Sequence, residues 1–331
     1  MRGGGAIWAA AFGYFACYAP YSALTKGLSS GLLGGRALGG FELLPYSTLT
    51  SLAGMMVFFA TTGWWRAASR WRGLPVPGRW TLLSGLCSAA IIGTTTLSYT
   101  FTGTSIVFMM LLMRGGVLIL APIVDGLSKR PVRWASWLGL GLSLAAVVVA
   151  TVRREDLRVT ALAVADVGLY LAAYFARLRF MSRLAKGSPE ANRRYFVEEQ
   201  LVASPAIFLT LAAVAALGRG ETADLLRSGF ALTEPRLLGL VLLIGLFSQG
   251  TGIFGALILL DPRESSFCVP VNRASSILAG VVASAALWGF AGAALPDAAE
   301  LAGAGLVALA IVVLALGSSH HPTAVPRARV T

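Results

Sequence analysis

The stretch Ile106-Val-Phe-Met-Met-Leu-Leu-Met-Arg114-Gly-Gly-Val-Leu-Ile-Leu-Ala-Pro122 holds a single charge in the middle of an apolar run. Runs of about 20 such residues are what an α-helix needs to cross a bilayer. A cation at that depth costs at least about 2.5–3.5 kcal/mol, so it faces a polar cavity, a partner or a ligand. A second stretch has the same character: Phe267-Cys-Val-Pro-Val-Asn-Arg273-Ala-Ser-Ser-Ile-Leu-Ala-Gly280. One intramembrane arginine in each half of the chain points to an anion site built on internal symmetry.

Working outward, apolar segments recur over the whole length. Of 331 residues, 56% are hydrophobic and 13% charged, against roughly 25% charged in a soluble domain. The mean hydropathy is +0.74. No polar stretch is long enough to enclose a core of its own, so the chain reads as an all-α, polytopic integral membrane protein. Its net charge of +12 is spread over short loops and reads as topology rather than a nucleic-acid surface. Cys17, Cys87 and Cys268 fall inside apolar segments without a spacing motif, which argues against a disulfide framework and a zinc site. His320 and His321 sit on a Pro-containing tail. The apolar run from Gly5 to Leu24 exceeds a signal-peptide core and is expected to stay as a first helix.

Hydropathy and loop signals predict ten transmembrane segments, at 5–25, 38–62, 79–100, 104–124, 132–152, 159–181, 195–217, 236–260, 265–289 and 297–317. Breaks such as Lys186-Gly-Ser-Pro189 and Asp261-Pro262 supply the helix ends. Gly85-Leu-Cys-Ser88 answers to Gly245-Leu-Phe-Ser248; Arg114 follows the first glycine by 29 residues and Arg273 the second by 28. The repeat unit is five segments, residues 1–155 and 156–331. An odd unit forces the halves into opposite orientations, the inverted-repeat plan of many secondary transporters. Seventeen Lys and Arg fall on one side, counting Arg177 and Arg263 there, and eight on the other. The positive-inside rule then places both termini in the cytoplasm; the membrane expected is the plasma (inner) membrane.

At 1.5 Å per residue, both arginines lie roughly 13–15 Å deep, near the midplane. Guanidinium forks match a phosphate or carboxylate in geometry as well as charge. The alternative is an internal ion pair, with Asp166 or Glu198 as partner. Asn272 adds a donor and an acceptor beside Arg273, and Pro270 disturbs the helix there. Tyr14, Tyr18 and Tyr21 share a face of the first segment; Asp166, Tyr170 and Tyr174 recur at i, i+4 and i+8 in the sixth. Tyr18 and Tyr174 are the pocket-lining candidates. Thr94 and Gln249 are further candidate contacts. Glu42, Glu198 and Glu199, expected to open segments two and seven at corresponding places, are candidates for charge pairing or proton coupling. No Ser/His/Asp set, metal-ligand cluster or phosphate-binding loop is present, so no enzyme activity, cofactor or metal is expected.

The whole chain resembles the drug/metabolite transporter superfamily, the ten-helix EamA-type carriers, through its five-plus-five plan and the run Met110-Leu-Leu-Met-Arg114-Gly-Gly-Val-Leu-Ile-Leu-Ala-Pro-Ile-Val124. Within it, nucleotide-sugar and triose-phosphate carriers hold phosphate-binding cations in helices four and nine. Arg114 matches the first, and Asn272-Arg273 stands where nucleotide-sugar carriers have Asn-Lys. The resemblance implies a secondary transporter or exchanger of a small, phosphorylated organic anion working by alternating access. An exporter of amino acids or other uncharged or zwitterionic metabolites, with the arginines paired internally, is a second reading; a non-transporting membrane component is a third. The expected partners are the solute and the bilayer, in a monomer or homodimer, without nucleic acid.

Overall fold

The computed structural model describes residues 5–71, 74–99, 101, 106–128, 134–152, 161–263 and 265–318. His320 and His321 lie outside them. So do Arg2, Arg72, Lys129, Arg130, Arg133, Arg153, Arg154, Arg158, Arg327 and Arg329 of the charge count. The described chain folds into helices α1 (Gly5–Ser29), α2 (Gly40–Thr62), α3 (Arg79–Ser98), α4 (Ile106–Leu127), α5 (Trp134–Val152), α6 (Ala161–Leu184), α7 (Pro189–Leu217), α8 (Glu221–Phe230), α9 (Pro235–Leu259), α10 (Ser265–Ala291) and α11 (Ala298–Ser318). A 3-10 turn, Trp64–Ala67, and an antiparallel ladder of β1 (Arg70–Trp71) with β2 (Leu74–Pro75) join α2 to α3. Among the described residues, α2, α3, α7, α9 and α10 are long and apolar enough to cross a bilayer, which marks a membrane protein.

Helix ends follow local chemistry. In α2, the Glu42 carboxylate accepts the Gly39 N–H at 2.7 Å, satisfying a first-turn donor. That helix stops at Gly63, whose φ of +68° suits a left-handed C-cap. Ser188 Oγ accepts the Ala191 N–H at 3.1 Å, and Pro189 supplies the first turn of α7. This cap starts α7 six residues before the expected position 195, because its first two turns are polar and carry no hydropathy signal. Glu198 and Glu199 are therefore the tenth and eleventh residues of α7, not its opening. The short helix α8 falls in a stretch expected to be loop. Its Ala223 and Leu226 are buried, and Leu226 joins Leu44, Leu211 and Ala215 in a small apolar cluster.

Two glycines allow close helix crossings. A Cβ on Gly85 of α3 would stand 2.5 Å from Val202 Cβ and 2.9 Å from the Glu199 carbonyl oxygen of α7. A Cβ on Gly245 of α9 would strike the Ser47 carbonyl of α2 and sit 2.7 Å from Thr50 Cβ. Removing the side chain lets the backbones approach, and small residues serve this purpose in membrane helices. At the second crossing, Ser51 Oγ also donates to the Gly245 carbonyl at 3.0 Å. Elsewhere α1 packs on α9 and α10, α6 on α3 and α4, α4 on α10, and α5 on α11.

Trp64, Trp65 and Trp80 gather at the hairpin end. Arg193, Arg66, Arg70 and Arg79 place their guanidiniums 5.0–5.7 Å from these ring centroids. Indole rings beside cations are typical of the level where lipid headgroups meet water.

Candidate functional site

The α4–α10 contact brings the two arginines together. Arg114 is 2% exposed and Arg273 not at all. Arg114 donates from Nη1 to the Tyr170 hydroxyl and from Nη2 to the Tyr18 hydroxyl. Arg273 donates from Nη1 to the same Tyr170 hydroxyl at 2.9 Å. Its guanidinium carbon also lies 4.4 Å from the Tyr174 ring centroid. Arg114 sits 5.1 Å from the Tyr18 ring and 5.2 Å from the Tyr170 ring. One phenolic oxygen thus accepts from both arginines, which uses both its lone pairs and leaves its proton free to donate.

The charge balance of this cluster is incomplete. Among the described residues neither arginine pairs with a carboxylate, and Arg114 Nε, Arg273 Nε, Arg273 Nη2 and Asn272 Oδ1 are buried without a hydrogen-bond partner. Ring faces give cations partial relief, of order 2 kcal/mol when desolvated. They do not spend the remaining N–H groups, and buried cations are ordinarily paired. Chemically, the cluster can accept an anion between two guanidinium forks with a tyrosine hydroxyl donating to it.

Two polar layers cover the cluster. On the side where α1 ends and α3 ends, the Tyr18 and Tyr99 hydroxyls are 2.6 Å apart and Tyr21 meets Thr96 Oγ1 at 2.9 Å. On the side where α6 ends and α7 begins, Arg177 holds Glu199 through Nε and Nη2, both at 2.8 Å. Glu199 also accepts from Ser84 at 2.7 Å, Ser88 at 3.1 Å and Tyr195 at 3.3 Å. Crevices of about 450 and 320 Å³ open near the hairpin end; the second is lined by Arg79, Trp80, Arg194, Tyr195 and Glu198. Neither is lined by Arg114 or Arg273, whose side chains are buried.

The expected residues divide accordingly. Arg114, Arg273, Tyr18 and Tyr174 come together, with Asn272 of α10 against Gly255. Gln249 lies instead on the α2–α9 contact, its Nε2 3.6 Å from Met55 Sδ. Thr94 returns its hydroxyl to the Ala90 carbonyl of its own helix at 2.8 Å. Glu42 binds Arg36, the Gly39 N–H and Ser228. Glu198 accepts from the Ser69 N–H and hydroxyl, the Gly78 N–H and the Thr81 hydroxyl, tying the hairpin to the start of α3. Neither it nor Asp166 touches the arginines. Asp166 is buried with Oδ2 unpartnered.

Three assignments differ from the reading of the sequence. Tyr170, not Tyr174, is the shared acceptor. Arg177, counted among the loop cations, is buried in α6, and its partner is Glu199 rather than Glu198. A signal for Arg177 exists: it follows Asp166, Tyr170 and Tyr174 at i+11, on the same helical face.

No protein-family model matches the sequence, and no curated protein matches it. In three dimensions the chain is similar to a solved crystal structure, with a TM-score of 0.60 over 93% of this chain and 97% of that one, at 16% identity. A likeness at that identity shows a shared fold.

Proposed function

We propose that this chain is a carrier of the drug/metabolite transporter type that moves a small, phosphorylated organic anion across the plasma membrane by alternating access. One observation carries the reading: two buried arginines converge on one hydroxyl, with guanidinium N–H groups unspent and no carboxylate at hand among the described residues. The internally paired alternative needs a carboxylate at the arginines, and the buried carboxylates are engaged elsewhere or, like Asp166, make no bond to them.

The ten long helices are taken as spans, in two inverted halves of five with the hairpin end in the cytoplasm; α8 lies between spans. Helix packing supports the repeat. Matching each helix of the first half with its counterpart pairs α1 on α9 with α6 on α3, α1 on α10 with α6 on α4, and α3 on α7 with α9 on α2. The Gly85 and Gly245 crossings fall on the last of these matched pairs, and Val202 and Thr50 take the same place in each. The tyrosine layer and the Arg177–Glu199 layer part in turn to open the site to either side.

Uptake of sugar phosphates into proteoliposomes tests this. Arg273→Gln abolishes uptake if the guanidinium binds the anion; transport unchanged from wild type refutes the assignment.

A further inference from the structure

Five carboxylates are buried among the described residues: Glu42, Asp125, Asp166, Glu198 and Glu199. Four are provided with donors. Glu42 and Glu198 cap helix starts as above, and Glu199 accepts from Arg177, Ser84, Ser88 and Tyr195. Asp125 accepts the backbone N–H of Ser266 at 2.7 Å and of Ser265 at 3.4 Å. Donors of this kind fix a carboxylate in place between helices, which suits a structural role. Asp166 differs. It is 7% exposed, forms no ion pair, and leaves Oδ2 without a partner. A carboxyl buried without a cation or donors has nothing in the protein committed to its charge, so a change of charge in its surroundings can move a proton on or off it.

Its position links it to the anion site. Asp166 precedes Tyr170 by one helical turn on one face of α6, a rise of about 6 Å. Tyr170 is the residue whose hydroxyl both arginines hold. From these placements we infer that Asp166 is a proton site coupled to the arginine cluster: the carboxylate takes up one proton when the anion binds and releases it when the anion leaves. Protonation removes a negative charge from the helix face that also carries Tyr170, so the proton and the substrate's own negative charge bind cooperatively and cross together. Other titratable groups meet α6 further along: Arg114 from α4 and Arg273 from α10 at Tyr170, with Tyr174 beside Arg273, and Glu199 with Tyr195 from α7 at Arg177. Each of these makes at least one contact given above, whereas among the described residues Asp166 Oδ2 is left without a partner and its charge without a cation.

This proposal rests on the anion reading, and its test separates the two. Inorganic sulfate is a suitable probe, because it does not titrate between pH 5 and 8. Purified wild-type protein in weakly buffered detergent should take up a proton on adding sulfate, read with a pH indicator. Its sulfate affinity should rise as the pH falls, by a factor in the range of about 5–150 usual for coupled sites. Asp166→Asn should still bind sulfate, at an affinity that no longer varies with pH, and take up no proton. Wild-type binding that is independent of pH and without proton uptake overturns the proton site and leaves the anion site standing. Failure of wild type to bind sulfate and phosphate alike overturns both. The wild-type measurement is decisive even if Asp166→Asn does not fold.

Discussion

Glu199→Ala is the substitution whose cost follows most directly from the geometry. It removes an acceptor that serves two Arg177 N–H groups, two serine hydroxyls and a tyrosine. Ser84 and Tyr195 keep each other, their oxygens being 2.5 Å apart, so most of the loss falls on Arg177. That guanidinium is left charged and buried, since its side chain is 8% exposed. Breaking one side of a buried pair costs about 3–5 kcal/mol. At 1.4 kcal/mol per decade this is roughly a 10²- to 10⁴-fold shift toward the unfolded state. Replacing both partners, as in Arg177→Met with Glu199→Leu, removes the unpaired charge and should recover most of that loss. Equilibrium unfolding in mixed micelles, followed by helical circular dichroism, gives both values. A single-variant loss below about 0.5 kcal/mol, typical of an exposed site, would refute the reasoning. So would a double variant as unstable as the sum of the singles, because it would mean the two residues do not act as a pair.

Further outcomes follow from other contacts. Tyr170→Phe removes the oxygen both arginines share; hydrogen bonds to charged groups are worth about 1.5–3 kcal/mol, so anion affinity should fall roughly 10- to 150-fold in a titration of the purified protein. Gly85→Leu and Gly245→Leu force two helix crossings apart and should each destabilise by about 1–3 kcal/mol. Gly168→Ala, with nothing within 4 Å of the added Cβ, should stabilise by about 0.4–1 kcal/mol, because alanine suits a helix interior better than glycine. In the loop after α9, burial pushes the Asp261 carboxyl up, but hydrogen bonds from Arg263 outweigh it and hold it below the usual carboxylate range. Its folded-state value being depressed, its contribution is present above the unfolded value of about 3.9 and disappears as the pH falls through the folded one. Wild type should therefore lose more stability than Asp261→Asn between pH 6 and pH 3.

Hydropathy made the long helices legible, because a chain that satisfies its backbone in lipid has few alternatives. Arg114 and Arg273 were visible for the same reason: a charge in an apolar run stands out. What lies outside that signal was missed for physical causes. The first turns of α7 and all of α8 are polar on one side and owe their helical state to a cap and to packing on α2 and α7. Glu198 and Glu199 are neighbours in sequence, yet one residue turns the helix by about 100°, so one faces the hairpin and the other faces Arg177. Hydropathy cannot choose between them. Thr94 and Gln249 stand out in sequence because polar residues in membrane helices are rare; in the structure the Thr94 hydroxyl bonds to its own helix and the Gln249 amide rests on Met55. The tyrosine spacing on α6 pointed to the right face and, extended by three residues, would have reached Arg177.

The most direct test of the anion site is a thermal-shift comparison of a sugar phosphate with the same sugar unphosphorylated, on wild type and on Arg114→Gln/Arg273→Gln. A ligand at 100 times its dissociation constant adds about 2.7 kcal/mol of stability. The paired buried arginines predict that the phosphorylated sugar stabilises wild type, the neutral sugar does not, and the double variant responds to neither. Equal stabilisation by both sugars, or a phosphate response that survives loss of both guanidiniums, would contradict the account.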